Sequence, residues 1–402
     1  MNKKISLGLA ISLIIVSITA SFAITMAVSK RMYNSLITAL PERIAQYDEV
    51  AEIDELVRAN YYGNIDQNNL NINLADGYIK GLNDRASFFM TAAEYNEYSK
   101  MLDGNLPGIG ITQTQDAKTG AMYVSEVAVN SPAASEGLKK GDEIVKIGGI
   151  QVTKSNYDSM VTKIEGIRLT TVNITYRRGS KENTINVMIG YPAQSVSYEV
   201  IGSYGYVKIT AFYKNTLDQF NKAIAALQDK KVTKLIFDVR NTSDGSIEYA
   251  AQVIDAVVPL ATEGTKAIAT VTDRTGKVIK TFTSDANEIT LPMVVLINAN
   301  TSGGAELFAQ DLKDFEKDNA TLVGDTTAGN GSMQDLFRLK DGNAVMLTVA
   351  KITPYTSHSY DKIGVVPDVV VKLTPQQDAN LDQISRADDA QLNEAFTILG
   401  NG

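Results

Sequence analysis

The rhythm of apolar and polar positions changes along the chain, and each rhythm predicts a different kind of element. Residues 5–28 carry no charge at all. As a helix they would span about 36 Å, more than the roughly 30 Å of a bilayer's hydrocarbon core. From Met32 to Met101 apolar residues return at helical spacing: Ile53, Leu56, Val57 and Tyr61, then Tyr78, Ile79 and Leu82. The Asn-rich stretch 64–73 between them reads as a loop. From Gly104 onward short apolar runs alternate with glycine turns. Strands are expected at the Gly108, Ile109, Gly110, Ile111 stretch, at 122–127, 171–176 and 182–189, and a turn into a strand over 141–147. A short helix should start at Ser131 and Pro132, and a longer one should cover 156–164.

After Pro192 the pattern changes again. A strand at 204–212 precedes an amphipathic helix marked by Leu217, Phe220, Ile224 and Leu227. The apolar runs without alternation at 235–239 and 292–299 read as buried strands, and 320–324 reads as a further strand. Helices at 246–258 and 304–315 are interleaved with them, and the tail 376–399 reads as helical. Strands that alternate with helices imply a parallel sheet with right-handed crossovers. The expected fold class is thus α/β and multidomain. Its segments are a membrane helix (1–31), a helical arm (32–103), a strand-rich domain (104–192), an α/β core (193–374) and a helical tail (375–402).

Composition narrows the chemistry. At roughly 150 residues per domain, 402 residues are room for two or three domains. The net charge of −8 argues against nucleic acid as a partner, because phosphate neutralisation needs a basic face. With no cysteine, thiol nucleophiles, thiolate zinc sites and disulfides are excluded. The one histidine, His358, lies in a polar run and reads as a solvated loop residue. Asp311, Asp314 and Asp318, interspersed with Lys313 and Lys317, read as the solvated face of a helix and not as a metal site. No metal and no cofactor is expected. Lys3 and Lys4 precede the uncharged run, and Lys30 and Arg31 close it. Its length favours an uncleaved anchor over a cleaved signal peptide, with Lys3 and Lys4 cytoplasmic and the bulk of the chain outside the membrane.

Several spaced motifs resemble one family in their order. Gly108, Ile109, Gly110 and Ile111, then Ser131, Pro132 and Ala133, then Gly141 and Asp142 look like a PDZ domain of the bacterial type. Asp238, Val239, Arg240 and Asn241 follow, ahead of a glycine-bearing turn. The run 298–306 (NANTSGGAE), the run 324–331 (GDTTAGNG) with Gln334, and the run 364–368 (GVVPD) complete the pattern. Together they resemble the C-terminal processing peptidases, or tail-specific serine peptidases, from about Ile53 to about Val371. The resemblance implies a helical N-terminal part, a PDZ domain and a Clp protease/crotonase-like core. It further implies a Ser–Lys dyad assisted by a glutamine, and a PDZ domain that receives the C-terminus of a polypeptide.

The family's chemistry needs a serine made nucleophilic by a lysine whose pKa is lowered by burial. The resemblance aligns the serine with Gly303 and the lysine with Asn330, so neither dyad member is present. Gln334 aligns with the assisting glutamine. Asp244 stands in a turn where the family carries glycine, and an acid there would oppose an oxyanion. Ser302, one residue before the nucleophile position, is either a helix-capping residue or a shifted nucleophile. For the latter it would need a base that the sequence does not place among Lys313, Lys340 and Lys351. Asp238 and Arg240 read as a local ion pair that orders a turn. Backbone N–H groups at Gly108, Ile109, Gly110 and Ile111 could hold a peptide carboxylate beside a strand edge. The expectation is a membrane-anchored pseudopeptidase that binds polypeptide C-termini and oligomerises with itself or with an active relative. The alternative is an active serine peptidase that uses Ser302.

Overall fold

The computed structural model of the chain describes residues 40–400 apart from 129, 167–168, 259–266, 285–287, 316–318, 356–358 and 382–383, together with Ser17, Ser21, Thr25 and Met26. The uncharged run 5–28 lies almost wholly outside the described residues, and so do His358, Lys317 and Asp318. Among the described residues no helix is long and apolar enough to cross a membrane.

The chain divides into two units, 1–74 and 75–402. In the first, the helix Leu40–Asn60 carries the predicted periodicity, with Ile53 and Leu56 left exposed. The Asn-rich stretch is not a loop throughout, because a helix, Gln67–Lys80, starts inside it. The side chain of Asp66 explains this: its Oδ1 accepts the N–H groups of Asn68 and Asn69, both at 3.0 Å. A cap of that kind offsets the weak helix propensity of asparagine.

In the second unit the long apolar runs form a six-stranded sheet. Its order is Val196–Ile201, Tyr204–Ile209, Lys234–Asp238, Met293–Ile297, Ala320–Gly324 and Val369–Val370. The first pair is antiparallel and the rest are parallel. Both faces are covered, which is why these strands show no alternation. Leu235, Phe237, Val295 and Ile297 pack with Phe220, Val253 and Phe308 of the helices Thr216–Asp229, Ile247–Asp255 and Gly304–Phe315. Ile236, Val294 and Leu296 face the other way, onto Leu392 and Ala395 of the helix Ala390–Ile398.

A second, antiparallel sheet joins Phe88–Met90, Ser332–Arg338, Ala344–Pro354, Ala267–Asp273 and Val278–Thr283. Phe88–Met90 corrects the reading of 32–101 as helical apart from the Asn-rich loop, since Phe88 pairs with Met346 far along the chain. The tail is also broken rather than one helix: Pro375–Ala379, a 3₁₀ turn Arg386–Asp388, and Ala390–Ile398. Asp389 ends the interruption by accepting the N–H of Leu392.

The third sheet, in the glycine-rich region, runs in the order Ile111–Gln115, Met122–Val127, Glu143–Ile147, Thr171–Arg178, Lys181–Met188, with Ile150–Gln151 beside the third. Ile111–Gln115 is an edge strand. The helices Pro132–Ser135 and Tyr157–Glu165 belong to the same region, and Ala133, Met160 and Ile164 join Ile109, Val124 and Ile174 in its core.

The aspartates of the helix Gly304–Phe315 are not a solvated face. Asp311 is fully buried and Asp314 nearly so. Asp311 accepts the N–H of Tyr355 at 3.1 Å, and burial pushes its pKa well above the usual carboxylate range. Spacing alone does not reveal this, because the helix is packed on two sides by partners remote in sequence.

Candidate active site and peptide groove

Two neighbouring parallel strands end in loops that clasp each other. Asn298, after Met293–Ile297, accepts the N–H of Asn241 at 2.9 Å and donates to its Oδ1 at 2.7 Å. Thr301 Oγ1 donates to the carbonyl of Val239 at 3.0 Å. The N–H of Ser302 donates to the carbonyl of Thr242 at 2.9 Å. The chain then turns through Gly303, whose φ of +59° is left-handed, and enters the helix Gly304–Phe315. Gly304 lets this turn sit close to its neighbours: a Cβ there would meet Ala250 Cβ at 2.9 Å. The turn thus lies at the carboxyl ends of parallel strands, the usual position of a ligand crevice in such sheets.

Glu306 ties the turn to the loop that follows Ala320–Gly324. Its carboxylate accepts the N–H groups of Gly303 (2.9 Å), Gly329 (2.6 Å) and Asn330 (2.8 Å), and the hydroxyl of Thr327. Burial raises its pKa, although each of these four donors pulls the other way. The clamp brings together residues 303 and 330: a Cβ built on Gly303 would lie 3.7 Å from Asn330 Nδ2. Exchanging Glu306 for Gln puts an amide NH₂ against N–H donors and leaves buried donors unsatisfied. Glu306→Gln is expected to cost about 1–3 kcal/mol at neutral pH. Urea unfolding measures this, and an unchanged midpoint would remove the clamp from the account.

Gly303, Asn330 and Gln334 line one cavity of about 210 Å³, together with Ser243, Gly245 and Met333. Gln334 Nε2 donates to Ser332 Oγ at 2.8 Å, and Ser332 Oγ donates to Asn330 Oδ1 at 2.8 Å. The glutamine therefore holds the asparagine through Ser332, a residue that motif reading passes over. An amide at 330 has no useful basicity, and residue 303 has no side-chain oxygen.

Ser302 is not among the residues that line this cavity. Gly303 precedes the first helical residue, and the carbonyl rather than the hydroxyl of Ser302 accepts from Ala305. None of the described lysines lines the cavity. Lys313 pairs with Asp368 at 2.6 Å, Lys351 with Asp361 at 3.6 Å, and Lys340 is exposed. Asp244 is exposed and is not a lining residue, whereas its neighbours Ser243 and Gly245 are. The charge of Asp244 still reaches the cavity wall, because burial and that charge together raise the pKa of the lining residue Tyr98.

Asp238 and Arg240 form the expected ion pair, at 2.6 Å, yet do more than order a turn. Both are buried, and Arg240 also grips Asp389 at 2.9 Å and Gln391 at 2.9 Å. The pair thereby fastens the tail helix to the sheet. Among the described residues no cluster of His, Cys, Asp and Glu could hold a metal ion.

The glycine-rich sheet has a groove of its own. Gly108, Ile109, Gly110 and Ile111 line a cavity of about 310 Å³ that runs between the free edge of Ile111–Gln115 and Ile164 of the helix Tyr157–Glu165. Gly108 and Gly110 have φ of +73° and +83°. Gly110 must lack a Cβ, which would meet Ser131 Cβ at 2.1 Å. The N–H groups of Gly108, Ile109 and Gly110 donate to no acceptor among the described residues. Successive free N–H groups beside an open strand edge can hold a carboxylate while a peptide adds to the sheet.

Comparison with known proteins agrees with both parts. Residues 203–371 match peptidase family S41, and residues 107–189 match the PDZ domain. Carboxyl-terminal-processing peptidase 3 of Arabidopsis thaliana, a chloroplastic protein, is 28% identical over 305 residues, which are 72% of this chain and 58% of that protein. Carboxy-terminal processing protease CtpA of Bacillus subtilis is 28% identical over 333 residues, 82% of this chain and 70% of that one. A solved structure from Bacteroides fragilis assigned to the S41 proteases shares the fold. Its TM-score is 0.50 at 18% identity, over 85% of this chain and 91% of that one.

Proposed function

From the premise that the chain belongs to peptidase family S41, with the PDZ domain of a C-terminal processing peptidase, we propose that it is a pseudopeptidase that binds polypeptide C-termini without hydrolysing them. The observation that carries this reading is the pair Gly303 and Asn330. A Cβ built on Gly303 would lie 3.7 Å from Asn330 Nδ2, where the family resemblance calls for serine and lysine, and neither residue supplies a nucleophile or a base. Binding is supported by the N–H groups of Gly108, Ile109 and Gly110, which have no acceptor among the described residues and lie beside an edge strand. The uncharged run 5–28 supports a single-pass anchor in the cell membrane, with the remainder extracytoplasmic. Exposed Ile53 and Leu56 leave an apolar face on the arm for a second copy or an active relative to cover.

Two measurements test the reading. The wild-type chain, incubated with an unstructured protein that ends in apolar residues, should yield no new termini by mass spectrometry. Cleavage that disappears in Ser302→Ala would overturn the proposal and make Ser302 a displaced nucleophile. A fluorescent peptide should lose at least about tenfold in affinity when its C-terminus is amidated, because the carboxylate is what the N–H groups hold. Equal affinity for the acid and the amide would remove the groove from the proposal.

A further inference from the structure

The groove that holds a C-terminal carboxylate is flanked by carboxylates of the protein itself. Glu126 and Glu165 both line it, and among the described residues no lysine or arginine does. Both are exposed, and neither has an ion pair or a side-chain hydrogen bond among the described residues. Glu165 ends the helix Tyr157–Glu165, and its Cγ lies 3.8 Å from the point where a Cβ on Gly108 would sit. A carboxylate seated on the N–H of Gly108 or Ile109 therefore arrives next to Glu165. An apolar or acidic C-terminus brings nothing to offset that repulsion, whereas a basic side chain does.

We infer that this groove selects polypeptide C-termini carrying lysine or arginine at the last positions, with Glu165 and Glu126 as the counter-charges. The inference rests on the reading that the groove binds C-termini at all. The apolar lining suits such residues: Ile111 and Ile164 offer a surface for the aliphatic stem while the charged head stays in water. Glu126 serves the other end of the reach. It pairs with Thr112 one strand in from the free edge, so a peptide laid along Ile111–Gln115 runs two inter-strand spacings away. Those two spacings are about 9.6 Å, a gap that a glutamate and an extended lysine or arginine close from both sides. The N–H groups fix the terminus, and the two glutamates read the charge of what precedes it.

The test uses the full chain in detergent and four fluorescent decapeptides that share a neutral body. They end in Lys-Lys, Ala-Ala or Glu-Glu, and the fourth is the Lys-Lys peptide amidated. Anisotropy at low salt should rank Lys-Lys about tenfold or more above Ala-Ala, with Glu-Glu weakest. In the double variant Glu126→Gln, Glu165→Gln the Lys-Lys preference should fall below about threefold, and the Ala-Ala peptide should bind more tightly than to wild type because a repulsion is gone. That gain is something a merely structural role for the glutamates would not produce. Equal affinity for Lys-Lys and Ala-Ala, or a preference that survives the double variant, overturns the inference while C-terminal binding stands. If amidation changes nothing, or no peptide binds, the reading of the groove fails and the inference with it.

Discussion

Serine at 303 and lysine at 330, introduced together, are expected to convert the chain into a peptidase. The two proposed dyad positions are already held in place, by the strand-to-helix turn, the Glu306 clamp, and Gln334 reaching residue 330 through Ser332. Space is available too, since among the described residues, chain neighbours aside, only Asn330 lies within 4 Å of a Cβ at 303. The cost is local. A serine held at the φ of +59° pays about 1–2 kcal/mol, a strain that a packed helix terminus can bear. Nucleophile and base act as a unit, so Gly303→Ser or Asn330→Lys alone should stay near the wild-type level. The double variant should exceed that level by on the order of 10³-fold. New termini from an unstructured protein, counted by mass spectrometry, give the readout, and unfolding midpoints show that the variants fold. A folded double variant as inert as wild type would mean that the missing chemistry is not confined to these two side chains. A wild type that already cleaves at the rate of the double variant would sink the pseudopeptidase proposal.

Removal of the Arg240 side chain should have the largest effect on stability. Its guanidinium pairs with Asp238 at 2.6 Å and Asp389 at 2.9 Å, all three groups being buried. Arg240→Ala leaves two carboxylates in the interior without their counter-charge, which typically costs about 3–5 kcal/mol. The pH dependence identifies the mechanism. Burial alone would push the Asp238 carboxyl up, but the Arg240 charge and the hydrogen bonds from Arg240 and Tyr206 outweigh it and hold the pKa below the usual range. A carboxylate with a depressed folded pKa contributes stability that is present above its unfolded pKa of about 3.9. That stability is lost as pH falls through the lower, folded value. In Arg240→Ala the sign reverses: only the Tyr206 hydrogen bond still opposes burial, the folded pKa rises, and stability increases as pH falls toward it. The gap between wild type and variant in urea unfolding should therefore be largest near pH 7 and shrink near pH 4–5. A gap independent of pH would mean that the loss is one of packing and not of charge.

Legibility followed the range of the interactions. The helix Gly304–Phe315 and the strands Met122–Val127 and Ala320–Gly324 are read to the residue, because run length and turn residues are local signals. The antiparallel sheet built on Ser332–Arg338 and Ala344–Pro354 is not foreshadowed as a unit: its strands are recruited from residues 88 to 354 and stabilise one another only once paired. Glu306 lies in the first turn of its helix, where it takes the N–H of Gly303. That the same carboxylate also holds Gly329 and Asn330 is invisible until the two loops meet. Asp311 fails in the opposite sense, since charge and spacing suggest a wet face while two layers of packing bury it.

The amino-acid sequence by itself determined what chemistry is absent: no thiol, no hydroxyl at 303, no amine at 330. It also determined which segments are buried strands, since composition and periodicity need no partner to be read. Only the tertiary structure decided that residues 303 and 330 come together, that Arg240 reaches the tail through Asp389, and that Glu126 and Glu165 share a groove with three N–H groups that have no acceptor among the described residues. The physical reason is the same in each case. Hydrogen bonds, ion pairs and burial are set by distance in space, and the chain closes those distances only when sheets and helices pack.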